Sequence, residues 1–185
     1  AIKITMEDDH EEFKREVLET DSEIDKKERD IESICMKLLL RQQPVARDLR
    51  VISSALKMIS DMERIGDQAS DIVELAQYIK KSDVKYKTHL SDMANEVIKM
   101  VTKSIKSFVK KDIEMARNVI VYDDVVDNYF EEIKKELIRI ISSGESDGEE
   151  FIDILMIAKY LERIGDHATN IAEWVEYSIL GYHAE

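Results

Sequence analysis

One cysteine, one proline and five glycines among 185 residues leave this chain few ways to turn sharply and no way to cross-link itself. The lone thiol, Cys35, excludes an internal disulfide, so stability has to come from burial. Scarce proline and glycine argue against a sheet with many turns. Positive charge is short as well: 27 basic residues stand against 40 acidic ones, a net charge of −13. A phosphate backbone needs a concentrated basic surface, so no nucleic-acid partner is expected. No apolar run approaches the roughly 20 residues of a membrane span, so direct membrane insertion is not expected. With no secretory signal either, the expected compartment is the cytoplasm. A chain opening AIKITMEDD has no initiator Met and is expected to have lost its start to processing or cutting.

What is present favours helices. Hydrophobic residues make up 44% of the chain, enough for a core at this length. Glu, Lys, Ile, Leu, Ala and Met are abundant, and most are good helix formers. An all-α protein is expected. Apolar residues recur at three- and four-residue intervals from about Glu11 to Leu40 (Val17, Leu18, Ile24, Ile31, Ile34, Cys35, Leu38), one helical stripe. Asp8 or Asp9 can cap its start, and Pro44 marks its end, being suited to the first turn of the next helix. That second helix is expected from about Val45 to Lys80, with Leu49, Ile52, Leu56, Ile59, Gly66, Ala69, Val73 and Ala76 on one face. KKSDVKYK reads as a turn. A third helix is expected from about Thr88 to Lys110, a fourth carries Met115, Val119, Val126, Ile133, Leu137 and Ile140, and SSGESDG at 142–148 is the clearest loop. The last helix runs from about Glu149 to Leu180.

The chain is also duplicated. ERIGDQASDIVELAQYI from Glu63 and ERIGDHATNIAEWVEYS from Glu162, 99 positions on, agree at nine of seventeen positions. LETDSEIDKKERDI aligns with IVYDDVVDNYFEEI at a shift of 102, placing Asp21 on Asp123 and Asp25 on Asp127. The shift changes between QQPVARD and SSGESDG, as turns of unequal length require. Each half is therefore a helix, an acidic helix and an ERIGD helix, a three-helix unit: repeat 1 at 1–82 and repeat 2 at 86–183, in tandem. In this register the first helix of repeat 1 is truncated, by roughly three to five turns of about 3.6 residues.

Four acidic pairs stand out. Glu63 with Asp67, Glu162 with Asp166, Asp21 with Asp25, and Asp123 with Asp127 are each four apart, on one helix face and one turn from each other. Side-by-side carboxylates destabilise a helix by a few tenths of a kcal/mol unless a cation or a proton compensates. With 40 acidic residues such pairs also arise by chance, and the plain alternative is a solvated acidic edge. Recurrence in both repeats and an apolar setting favour two cation sites. Oxygen-only donors suit hard cations such as Mg, Ca, Mn or ferric iron, whereas zinc usually recruits Cys or His. Gly66 and Gly165, each costing near 1 kcal/mol in a helix interior, fit a close helix approach or room beside the ligands. Arg64 and Arg163 are expected to pair with unused carboxylates or brace the ligands, unless they are simply solvated. The cluster Arg41, Arg47, Arg50 reads as a solvated or partner-facing patch, and no glycine-rich phosphate loop is present.

QQPVARDLRVISSALKMISDMERIGDQASDI and IAKYLERIGDHATNIAEWVEY resemble the signature segments of the PhoU family of phosphate-signalling regulators, over essentially the whole chain. That resemblance implies two three-helix bundles related by pseudo-twofold symmetry, and metal clusters, iron or zinc among them, held by E/D-xxx-D motifs. By position these are Asp21, Asp25, Glu63, Asp67, Asp123, Asp127, Glu162 and Asp166. It also implies a cytoplasmic homodimer that is not an enzyme. Such a protein restrains phosphate uptake and the phosphate-starvation response by linking the ATPase subunit of the phosphate ABC transporter to the sensor histidine kinase. Three rivals differ. The soluble tail of a sodium-phosphate cotransporter resembles this family too. A di-iron enzyme expects Glu-x-x-His on two helices, and only Glu7-Asp8-Asp9-His10 fits. The third is a metal-free structural bundle.

Overall fold

Where these helices stop is decided by a few backbone positions. The computed structural model describes the backbone of residues 10–79, 84–143 and 148–182. They form α1 (His10–Gln42), α2 (Arg47–Ala76), α3 (Val84–Lys110), α4 (Ile113–Ser143) and α5 (Gly148–Leu180). The expected Asp8 or Asp9 cap, Glu7 and the middle of SSGESDG lie outside the described residues.

Gln43 and Ala46 both have φ 46°, and left-handed residues cannot continue a right-handed helix. Hence α2 begins at Arg47, later than the expected Val45, and Pro44 sits in the link and not in the first turn. Lys111 at φ 53° closes α3 in the same way. Asp112 then accepts a hydrogen bond from the Met115 N–H at 3.0 Å, capping α4. Two further ends differ from expectation. α3 starts at Val84, so the second half of KKSDVKYK is helix. α2 ends at Ala76, not Lys80, because Tyr78 and Ile79 bond back to Leu75 O and Ala76 O in the tighter three-residue pattern.

All the described residues outside links and turns are helical, and α3, α4 and α5 pack mutually as a three-helix bundle. α1 pairs with α2 alone, and α2 docks on α5 through the most extensive helix–helix interface. Asp61 lies against His167, and Arg50 against Gly181, so α2 and α5 run antiparallel about a pseudo-twofold axis. One hydrophobic core spans both repeats, joining Met58, Ile72 and Val73 of α2 to Met93, Val126 and Ile171. Burying side chains of this size stabilises the fold by about 1.5–3 kcal/mol each.

The repeats are not equally covered. Val126 and Ile133 of α4 have 0% exposure beneath α3. Their counterparts in α1, Ile24 and Ile31, are respectively half-buried and 38% exposed, and Ile34 is 55% exposed. Of the stripe expected on α1, Cys35 alone is fully buried. Among the described residues no helix does for α1 what α3 does for α4. The result is an apolar furrow of about 290 Å³ between Ile24, Ile31, Ile59, Met62, Val101 and Ile105. No described helix is long and apolar enough to cross a membrane.

Candidate metal centre

Residues four apart on antiparallel neighbours meet when the two helices lie side by side, and α1 and α2 do. Asp21 and Asp25 project from α1 toward Glu63 and Asp67 on α2. One carboxylate oxygen from each of Asp21, Asp25 and Asp67 lies within 4.8 Å of the others. Glu63 stands outside that triad, yet its carboxyl feels Asp67, Glu28 and Asp25. Burial, then these three neighbours, push its pKa up, with Arg64 opposing. Asp21 is also raised, chiefly by burial and then by Asp67, Asp25 and Asp71; the Ser70 hydroxyl works against the shift. The buried Ser70 Oγ lies close enough to Asp21 to oppose that shift, but neither it nor the buried Asp21 Oδ1 forms a well-aligned hydrogen bond. An anionic oxygen with no donor is an unfavourable element in a fold unless something positive reaches it.

Gly66 explains how Asp21 comes so close. A Cβ on Gly66 would stand 2.6 Å from Asp21 Oδ1 and 3.3 Å from Ile24 Cδ1. Only a residue without a side chain leaves this space, which offsets its cost to the helix. Gly165 repeats the device more loosely, with Val126 Cγ1 at 3.3 Å and Asp123 Oδ1 at 3.5 Å from its would-be Cβ.

In repeat 2, α4 supplies Asp123 and Asp127 and α5 supplies Glu162 and Asp166. Asp123 is pushed up to about 6 by burial, then by Asp127 and Asp166, with the Thr169 hydroxyl opposing and Asp124 adding to the rise. Asp127 is raised by burial, Glu162, Asp166 and Asp124, against Lys159. Asp166 is raised by burial and Glu162, against Lys159, His167 and Arg163. Among the described residues, however, these four bring no three ligand oxygens as close together as the first site does. The Lys159 ammonium is paired with Glu162 and lies 5.3 Å over the Phe130 ring.

Arg64 and Arg163 are exposed at the rim. Of the cluster expected to be solvated or partner-facing, Arg41 and Arg47 are exposed and Arg50 is half-buried, its guanidinium 2.7 Å from where a Cβ on Gly181 (φ 86°) would stand, at the end of α5. A cation there suits the helix C-terminus. Ser70 and Thr169, both bordering the carboxylates, were not singled out from the sequence. They occupy matched positions in the ERIGDQAS and ERIGDHAT segments, and that match was the available signal.

Two helical repeats, each opposing one acidic pair to another beside a helix-interior glycine, define a duplicated all-α carboxylate protein. The PhoU domain matches residues 1–76 and 90–175, and the chain belongs to the PhoU family. It is 34% identical over 175 residues to the Thermotoga maritima phosphate-specific transport system accessory protein PhoU homolog 1, covering 94% of this chain and 75% of that protein. A homologue of the same description from Clostridium acetobutylicum is 34% identical over 95% of this chain and 81% of its own length. The crystal structure of PhoU from Pseudomonas aeruginosa matches with a TM-score of 0.91 at 33% identity, over 98% of this chain and 87% of that one. PhoU from Streptococcus pneumoniae, a phosphate transport system regulatory protein, matches at 0.85 and 25% identity, over 94% and 82%.

Proposed function

We propose that this chain is a metal-binding regulatory adaptor of phosphate homeostasis, a negative regulator of the phosphate-starvation response and of uptake through the phosphate ABC transporter. The observation that carries the metal reading is the convergence of Asp21, Asp25 and Asp67 oxygens within 4.8 Å, with Asp21 Oδ1 buried and unpartnered. Asp21, Asp25, Glu63 and Asp67 would hold the ion, with Ser70 beside them. The donors are all oxygen, so iron, Mg, Mn or Ca is favoured; zinc is a weaker match. A bound cation supplies the positive charge that this group of carboxylates lacks. α1 has no helix partner other than α2 among the described residues, so these four side chains are placed to fix how α1 sits on α2.

The regulatory half rests on the relatives, which are named as accessory proteins of the phosphate-specific transport system. In this reading long helical faces of a cytoplasmic homodimer meet the ATPase subunit of the transporter and the sensor histidine kinase. The test is genetic. Cells lacking the chain should take up phosphate and express a starvation reporter in phosphate-rich medium, the intact chain should restore repression, and Asp21→Ala with Asp67→Ala should not. A reporter indifferent to loss of the chain contradicts the proposal.

A further inference from the structure

The two acidic centres share their ligands but not their surroundings. At the repeat spacing of 99, Lys159 of α5 stands where Ser60 stands in α2, and at the spacing of 102, Phe130 of α4 stands where Glu28 stands in α1. In repeat 1 the Ser60 hydroxyl donates to Glu28 Oε1 at 3.4 Å, so that corner adds a carboxylate and no cation. In repeat 2 the same corner is a lysine seated on an aromatic ring, 5.3 Å from its centroid, with its ammonium on Glu162. The other nearby cations do not undo this contrast. Arg64 and Arg163 occupy equivalent places, and Arg29 reaches Asp25 only at 3.9 Å from a side chain that is 64% exposed. The carboxylates follow suit: three of the four in repeat 1 bring oxygens within 4.8 Å of one another, and, among the described residues, no three of those in repeat 2 do.

We propose that Lys159 is a built-in counter-ion of the second centre, competing with metal there, so that the chain loads the Asp21, Asp25, Glu63, Asp67 centre first and the Asp123, Asp127, Glu162, Asp166 centre only when Lys159 gives way. This rests on the metal reading above. The ammonium neutralises part of the ligand set and occupies Glu162, so an arriving cation gains less attraction and must displace a made ion pair. A ring face beneath the ammonium adds cation–π attraction and holds it in place. The first centre carries Glu28 in addition, and its own ion pair is the longer Arg29–Asp25 contact, from a side chain 64% exposed against 46% for Lys159. Two centres of one ancestry thereby become a tight site and a weak, displaceable one, the weak site responding to metal at higher concentration.

The test is calorimetric titration of the metal-stripped full chain with Mn²⁺. The wild type should show a tight class of binding and a second class weaker by roughly tenfold, the size that a part-exposed ion pair and a cation–π contact together supply. Lys159→Ser should tighten the weak class by a similar factor and leave the tight one unchanged. Ser60→Lys, at the exposed equivalent position, should weaken the tight class. Glu63→Gln with Asp67→Asn, which keeps the side-chain shapes, should abolish the tight class and so identify it. Two equal classes in the wild type, or a weak class indifferent to Lys159→Ser, overturn the inference and leave the metal reading standing. No Mn²⁺ binding in the wild type overturns both.

Discussion

His167 Nδ1 of α5 stands 2.9 Å from Asp61 Oδ1 of α2, and the same oxygen accepts from Asn170 Nδ2 at 3.2 Å. This polar junction lies within the interface that joins the repeats, and both His167 and Asp61 are largely buried. Across the pseudo-twofold the three groups are replaced by Gln68, Tyr160 and Asp71, where Tyr160 is raised by burial and by Asp71. Asp61→Ala therefore leaves two donors without their acceptor. It should lower stability by about 1–3 kcal/mol, read as a fall in the denaturant midpoint with the slope unchanged. A midpoint within error of wild type would remove this junction from the account.

Ile31 and Ile133 make a paired experiment in burial. Ile133→Ala empties a position with 0% exposure and should cost about 2–5 kcal/mol. Ile31→Ala, at a side chain already 38% exposed, should cost less than about 1 kcal/mol. Equal costs in thermal or chemical unfolding would mean that α1 is covered as fully as α4.

Gly66→Ala separates helix propensity from ligand geometry. Alanine favours the helix by about 1 kcal/mol, while its Cβ cannot share the 2.6 Å gap with Asp21 Oδ1, which must swing outward. Metal-free stability should stay level or rise, and affinity at the first centre should fall by about tenfold or more. Gly165→Ala, with 3.3 Å and 3.5 Å of room, should disturb the second centre less. Equal losses at both centres would contradict the spacer role.

Proton linkage has a definite sign in the metal-free protein. Asp123 titrates at about 6 in the fold, against 3.8 ordinarily, and Asp21, Glu63, Asp127 and Asp166 are raised too. Groups with raised folded pKa values bind more protons folded than unfolded, so their contribution is full below the unfolded pKa and lost as pH rises through the folded one. Calorimetry of stripped protein should show the melting temperature rising by a few degrees between about pH 7.5 and pH 5.5. Saturating Mn²⁺ at the higher pH should also raise it, by stabilising the form that binds. A flat profile without metal would contradict the crowding of these carboxylates.

Much of this was legible because the chain repeats itself. Of the stripe Met115, Val119, Val126, Ile133, Leu137 and Ile140, the middle four are buried and the outer two half-buried. The stripe on α1 was read equally well, but periodicity reports that a face is apolar and not that a neighbour covers it, and Ile31 and Ile34 remain exposed. Helix ends drifted where backbone sign decided the matter, as at Ala46, since alanine gives no warning of a positive φ. The acidic pairs stood out as what the halves share. Lys159 against Ser60 and Phe130 against Glu28 did not, because they are where the halves differ. Ser70 and Thr169 carry no signal of their own, since each looks like an ordinary helix hydroxyl.

The most direct measurement is elemental analysis of metal retained by the purified chain, wild type beside Glu63→Ala with Asp67→Ala. The account predicts bound metal in the wild type and loss of the tightly held share in the double variant, with the fold intact by circular dichroism. Unchanged metal content in the variant, or a wild type that takes up none when offered iron, manganese or magnesium, would contradict it.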